Sequence, residues 1–90
     1  MAADILSALK VNLGIRSDGY NDRLNSIISA AQEYIETEGI TLNLESDGDL
    51  QIVVMYAEYL WRHRETGEGM PRMLRYTLNN RLFSEKMKTE

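Results

Sequence analysis

The pattern of the chain centres on a segment from Asp49 to Glu65 whose apolar residues occupy two sides of a helix. At about 100° per residue, the two sides separate into distinct stripes. One stripe comprises Leu50, Val53, Val54, Ala57, Leu60 and Trp61, and the other comprises Ile52, Met55, Tyr56 and Tyr59. A surface helix of a monomer carries one apolar face. The pattern therefore predicts a central helix whose second stripe is covered either by other helices of the chain or by another subunit.

Two shorter amphipathic segments precede this central helix. In residues 2–13, the apolar residues Ile5, Leu6, Leu9 and Leu13 share one face, and Gly14 can end the helix in a left-handed conformation. From Asp22 to Glu38 one face is again apolar, and Gly39 follows as a stop signal. That face comprises Leu24, Ile27, Ile28, Ala31, Tyr34 and Ile35. We expect two helices here.

The segment between these two helices and the central helix is predicted to be an extended loop. Residues 40–48 alternate apolar and polar side chains, but the chain offers no second strand to pair with them. We expect the loop to place its leucines beneath the bundle. Asp47 or Asp49 is expected to cap the central helix. The sequence ESDGD resembles part of a calcium loop but lacks the remaining ligand spacing and the closing glutamate.

A fourth helix is predicted from Pro71 to Phe83, because two glycines and the only proline interrupt the chain before it. Residues 82–90 are expected to form a frayed tail. Tyr76 and Phe83 lie on a flank separate from the other apolar residues of this helix. The whole chain, 1–90, is thus predicted to be one all-α domain, a four-helix bundle-like fold with a central helix. Its expected core contains Leu24, Ile28, Val53, Val54, Ala57, Trp61 and Leu74.

The composition argues against catalytic chemistry and against metal or cofactor binding. The chain has no cysteine, and His63 is its only histidine, so no zinc cluster of these ligands can form within one chain. The acids are dispersed, and no glycine-rich phosphate loop is present. No apolar run approaches the length of a membrane span. We therefore expect a non-enzymatic protein of the cytoplasm, without a cofactor and without a membrane partner.

Charge is distributed unevenly along the chain. Residues 1–61 contain ten acids against three bases, a net charge of −7, whereas residues 62–90 contain seven bases against four acids, a net charge of +3. An acidic body and a basic end can attract copies of the chain head to tail, which is a geometry that closes into rings. A solvated surface of uneven charge is the simpler alternative, and the sequence leaves both open.

The basic segment 62–81 also raises the alternative of a small helical DNA-binding regulator. Its arginines lie on two consecutive helices joined by a short turn, as in a helix-turn-helix. Against this alternative stand the acidic pI of about 5.0 and the aromatic and methionine residues between the arginines. Internal ion pairs, such as Glu58 with Arg62, are an equally simple use of these arginines. Tyr, Phe, Met and Arg are also the types enriched in protein interfaces.

Three stretches of the sequence resemble the small helical head-tail connector proteins of tailed bacteriophages and prophages, also called head-completion or adaptor proteins. The stretches are YIETEG at 34–39, VVMYAEYLWRHRETG at 53–67 and MPRMLRYTLNNRLFSEK at 70–86. The last stretch is the most specific. Together they fall in the second, central and fourth helices.

The resemblance implies a structural subunit of a ring at the head-tail junction of the virion, assembled in the host bacterial cytoplasm. Its implied partners are the portal protein, a tail or stopper protein, and other copies of itself in the ring. Free subunits would be monomeric or weakly associated, and genomic DNA would pass through the channel without sequence-specific binding. The resemblance assigns the partner interface to Met70, Arg72, Arg75, Tyr76, Asn79, Arg81 and Phe83.

Overall fold

The computed structural model describes residues 2–67 and 69–89, and leaves out the side chains of residues 2–4, 65, 88 and 89. The described residues form four α-helices and no strand. In chain order these are α1 (Ala2–Leu13), α2 (Asn21–Thr37), α3 (Asp47–Thr66) and α4 (Arg72–Thr89). The predicted all-α, four-helix class is therefore confirmed.

Helix α3 lies at the centre and packs against each of the other three helices. Its first stripe is buried at Val53, Val54 and Ala57. On its second stripe, Ile52 and Tyr56 are buried, while Met55 and Tyr59 are half-buried against the core. The other helices of the same chain thus cover both stripes. Of the two possibilities left open by the sequence, the fold supports covering by helices of the same chain, with Met55 and Tyr59 left half-buried.

Trp61 is the one predicted core residue that the fold does not bury. It lies half-buried at the edge of the core, and the Tyr20 ring meets it edge-on with 5.8 Å between the ring centroids. The predicted full burial is therefore wrong, because Trp61 lies in the carboxyl-terminal part of α3, at the edge of the core. A small domain rarely encloses a side chain of this size.

The amino-terminal end of α3 differs from the prediction that Asp47 or Asp49 caps it. Ser46 occupies the N-cap position, and no side chain forms a capping hydrogen bond there. Asp47 lies in the first turn, where its charge complements the helix dipole. Asp49 instead turns inward and is buried. Its carboxylate accepts a hydrogen bond from the Asn43 backbone N–H at 2.8 Å, which ties the preceding loop to α3.

Helix α4 begins at Arg72 and continues to Thr89, so the predicted end at Phe83 is wrong. The segment expected to fray from residue 82 is helical through Thr89. Glu85 in these added turns accepts hydrogen bonds from the Arg81 guanidinium at 3.0 Å and from the Thr41 backbone N–H at 3.3 Å. These contacts hold the last turns of α4 against the loop after α2, which a local sequence pattern does not reveal.

The segment before α3 contains no strand, as predicted, but it is not extended to residue 48. The Ser46 backbone N–H donates to the Asn43 carbonyl oxygen at 3.0 Å, which closes a turn, and α3 begins at Asp47. Ile40 is buried, and Leu42 and Leu44 pack half-buried against the core. Among the described residues, no helix combines the length and the apolar composition needed to cross a bilayer.

Gly39, at the end of α2, has a backbone conformation and a packing environment that exclude a side chain. Its φ is +107°, and a Cβ atom there would lie 3.3 Å from Leu82 of α4. Replacing Gly39 with alanine should lower the free energy of unfolding by about 1–3 kcal/mol, because the strained φ and the close contact both oppose the methyl group. Urea unfolding followed by circular dichroism measures this change.

Gly69→Ala is the matched control, since a Cβ there meets nothing within 4 Å and its φ is not left-handed. This control should leave stability unchanged or raise it by up to about 1 kcal/mol. Equal midpoints for the two variants would show that Gly39 is not constrained by its contact with α4.

Candidate partner interface

The outer face of α4 exposes four large apolar side chains, which we call the α4 stripe. Met73, Tyr76, Phe83 and Met87 are between 62% and 66% exposed. At about 100° per residue they lie within roughly 80° of one another, opposite the buried Leu74 and Leu78. Isolated exposed apolar residues are common, but a row along one helix face is typical of interaction sites.

The predicted interface residues divide into those on or beside the stripe and those engaged within the chain. Tyr76 and Phe83 lie on the stripe itself. Arg72 and Asn79 are exposed and follow one edge of it. Met70 lies before the helix begins and packs half-buried against the core. The structure therefore places four of the seven residues where a partner could reach them directly.

Arg75 joins α4 to the carboxyl end of α2. Its two terminal nitrogens donate to the two carboxylate oxygens of Glu38 at 3.0 and 2.8 Å. Hydrogen bonding to this carboxylate raises the pKa of Arg75 above its ordinary value. Paired, two-point contacts of this kind fix orientation as well as distance. Arg75 is still 43% exposed, so it both positions α4 and remains part of the surface.

Arg81 lies on the face of α4 that packs against α3, and not on the α4 stripe. The sequence prediction had placed it among the partner-facing residues. Its guanidinium donates to both carboxylate oxygens of Asp49, at 2.8 and 3.1 Å, and to the Thr41 carbonyl oxygen at 2.8 Å. It also donates to Glu85 at 3.0 Å. These bonds, chiefly those to Asp49, raise the pKa of Arg81. All three guanidinium nitrogens are thus engaged within the chain.

The tyrosines of α3 belong to the fold and not to the exposed surface of α4. The Tyr56 ring is stacked on Tyr34, with centroids 6.0 Å apart, and meets Tyr59 edge-on at 5.8 Å. Burial raises the pKa of the Tyr56 phenol. The apolar excess that the sequence showed on α3 is therefore largely satisfied inside the chain. What remains exposed is concentrated on α4.

Two members of the α4 stripe were absent from the predicted interface. The sequence pattern groups Met73 with the other apolar residues of the predicted helix, apart from Tyr76 and Phe83, and Met87 lies in the segment expected to fray. Both fall into a repeat with Asn80, since the three positions are spaced by seven residues. That spacing was readable in the sequence, and it becomes informative only once α4 is known to extend past Phe83.

A second exposed feature is the basic end of α3. Arg62 and Arg64 are exposed there, together with His63. The predicted pair of Arg62 with Glu58 is confirmed, with 3.7 Å between nitrogen and oxygen. The His63 ring lies 5.7 Å from that of Tyr59. Across residues 2–67 and 69–89, no three metal-ligating side chains are grouped so as to hold an ion.

A shallow groove of about 480 Å³ runs between α3 and α4, beside the stripe. Ile52 and Met55 of α3 and Met73 of α4 form its apolar part. Because Met73 belongs to both the groove and the stripe, the two form one continuous apolar surface. The groove is open to solvent, and Asp49, Arg81 and Ser84 belong to its polar part.

Comparison with known proteins adds no family to this description. No family model, no curated protein and no solved structure matches the chain.

The ion pair between Arg81 and Asp49 should contribute to the stability of the fold, whereas the exposed Arg72 should not. Arg81→Ala should lower the free energy of unfolding by about 3 kcal/mol, because it leaves the buried Asp49 carboxylate and the Thr41 carbonyl without the guanidinium. Arg72→Ala removes the same charge from an exposed position and should change stability by less than about 0.5 kcal/mol. Denaturant unfolding of the two variants measures the difference. Similar losses in both would contradict an internal role for Arg81.

Proposed function

We propose that this chain is a structural subunit of a ring-shaped head-tail connector of a tailed bacteriophage or prophage. In this role it docks on the portal at one capsid vertex, extends the DNA channel and joins the head to the tail or its stopper protein. The observation that carries the proposal is the α4 stripe. It lies within the stretch from Met70 to Lys86, which resembles the connector family most specifically, and within the turn of helix that follows it.

The way α4 is attached to the body supports a docking role. Arg75 holds the start of the helix to α2, and Arg81 holds its middle to α3 and to the loop before it. An interface built on a fixed helix loses little conformational entropy when a partner binds. The stripe is therefore presented as a preformed apolar face.

The outer face of α2 supports the proposed channel. Asp22, Glu33 and Glu36 lie along one exposed side of that helix. A negatively charged wall repels the phosphate backbone, so DNA can pass along it without binding. We propose that this face, or part of it, lines the channel, and that contact with genomic DNA is independent of its sequence.

The alternative is a DNA-binding regulator that uses segment 62–81. Of the five arginines in that segment, Arg75 and Arg81 are engaged with carboxylates of the same chain. Arg62, Arg64 and Arg72 remain exposed around the end of α3 and the start of α4. A gel shift over a range of salt concentrations distinguishes the two functions, because a regulator prefers particular duplex sites and a channel subunit does not.

Removing the two aromatic rings of the stripe should abolish assembly without unfolding the chain. The double variant Tyr76→Ser, Phe83→Ser alters side chains that are more than 60% exposed, so each change should shift stability by no more than about 0.5 kcal/mol. The wild-type chain mixed with its cognate portal should form rings visible by electron microscopy, and the double variant should not. A melting curve confirms that the variant is folded.

Val11→Ser is the matched control, because Val11 is 79% exposed but lies on α1, outside the stripe. This variant should assemble as the wild type does. If the wild-type chain fails to bind the portal at low and at moderate salt, the connector role is wrong. If the double variant assembles normally, the α4 stripe is not the surface that the connector uses.

A further inference from the structure

The exposed face of α4 has the spacing of a coiled-coil seam. Its residues Met73, Tyr76, Asn80, Phe83 and Met87 are separated by three, four, three and four positions, which makes them a and d positions of two heptads. All five side chains are exposed. The buried Leu74 and Leu78 occupy other heptad positions and face the core of the chain. Helix α4 therefore carries two helix-packing faces back to back, and only one of them is covered within the chain.

We propose that a second copy of the chain covers this face, with the two α4 helices parallel and in register. The inference concerns the same face that the proposed function assigns to partners and rests on it in that respect. The new element is the partner that covers the α4 stripe before the chain meets a portal, namely a second copy of the chain.

Asn80 is the first argument for a copy of the same helix. It is the one seam residue whose side chain ends in an amide and has no large apolar body. A partner that covers the seam desolvates the Asn80 amide and must offer it a hydrogen bond. In a parallel pair in register, the partner residue at that level is the second copy's own asparagine, and an amide can both donate and accept. Asparagine at a single a position is a known determinant of register in parallel coiled coils.

The charges beside the seam select the parallel orientation. Positions of the g type are occupied by Arg72, Asn79 and Lys86, and positions of the e type by Thr77 and Ser84. In a parallel pair, g residues face e residues of the partner, so Arg72 meets Thr77 and no like charges meet. In an antiparallel pair, g faces g, and Arg72 of each copy meets Lys86 of the other. Two like-charge contacts therefore disfavour the antiparallel pair.

The size of the seam indicates weak association. Four side chains that are about two-thirds exposed can bury roughly 400–600 Å² per copy, since a large side chain contributes at most about 150–250 Å². A standard stable interface buries about 800 Å² per partner. The pair should therefore form at high protein concentration and dissociate on dilution, with a dissociation constant far above the nanomolar range.

A disulfide trap tests both the pairing and its direction. The chain has no cysteine, so a single introduced thiol can react only with its counterpart in another copy. In the parallel pair, residue 73 faces residue 73 and residue 87 faces residue 87. In the antiparallel pair, residue 73 faces residue 83, and the two copies of residue 73 are about 15 Å apart along the axis at 1.5 Å per residue.

Met73→Cys and Met87→Cys should each form a disulfide dimer under mild oxidation at least tenfold faster than Ser29→Cys. Ser29 is exposed on α2, away from the seam, and its variant measures random collision. The same rate in all three variants would overturn the proposal. So would a fast reaction at only one of the two seam positions, because both ends of a parallel seam must meet.

Sedimentation equilibrium of the unmodified chain and its variants gives an independent readout. The wild-type chain should show reversible, concentration-dependent association. Asn80→Leu should tighten it at least tenfold, because an apolar residue replaces the polar one in the seam, while Phe83→Ser should abolish it. Val11→Ser should match the wild type. A wild-type chain that remains monomeric at millimolar concentration would overturn the pairing. So would an Asn80→Leu variant that associates no more tightly than the wild type.

A portal-binding assay run in parallel separates this inference from the proposed function. If the chain forms disulfides at residues 73 and 87 but never binds a portal, the α4 pairing is supported and the connector role is wrong. A chain that is always monomeric and assembles only on the portal keeps the connector role. In that case the occupant of the stripe is the portal, and the pairing of free subunits is wrong.

Discussion

The ion pair between Arg81 and Asp49 is the contact on which the placement of α4 depends. Asp49 is buried at the start of α3, and the same guanidinium also binds the Thr41 carbonyl and Glu85. The loop at Thr41, the start of α3 and α4 therefore meet at one side chain. Burying such a group is favourable only when its hydrogen-bonding capacity is met. Here every guanidinium nitrogen has an acceptor, and α4 is fixed in one rotation about its axis.

That rotation decides which surface of α4 is exposed. With Leu74 and Leu78 turned to the core, Tyr76, Phe83 and Met87 must face outward. Helices α1 and α2 pack against α3 and against each other, whereas α4 packs mainly against α3 at the edge of the bundle. Among the side chains that the structure describes, the exposed large apolar residues that form a row are therefore those of α4. A preformed row of this kind favours association because little order has to be created on binding.

The same ion pairs change how the basic half of the sequence is interpreted. Arg75 and Arg81 contribute positive charge to the count but direct it at Glu38, Asp49 and Glu85 inside the domain. The electrostatic potential available to nucleic acid is therefore lower than the number of arginines suggests. The exposed acids on α2 remain uncompensated along one face. This distribution supports the proposed contact with other proteins over the alternative of DNA binding.

The sequence by itself determined the helices and their inward faces, because periodicity and helix-ending glycines are local signals. It was sufficient to predict α1, α2, most of α3 and the buried Leu24, and it identified Tyr76 and Phe83 as lying apart from the core. Only the tertiary structure decided that the second stripe of α3 is covered, that Asp49 turns inward and that Arg81 lies beneath α4. These outcomes depend on contacts between residues more than twenty positions apart, such as Tyr34 with Tyr56 and Asp49 with Arg81, which no local pattern encodes. The length of α4 was decided in the same way, through the contact of Glu85 with the loop at Thr41.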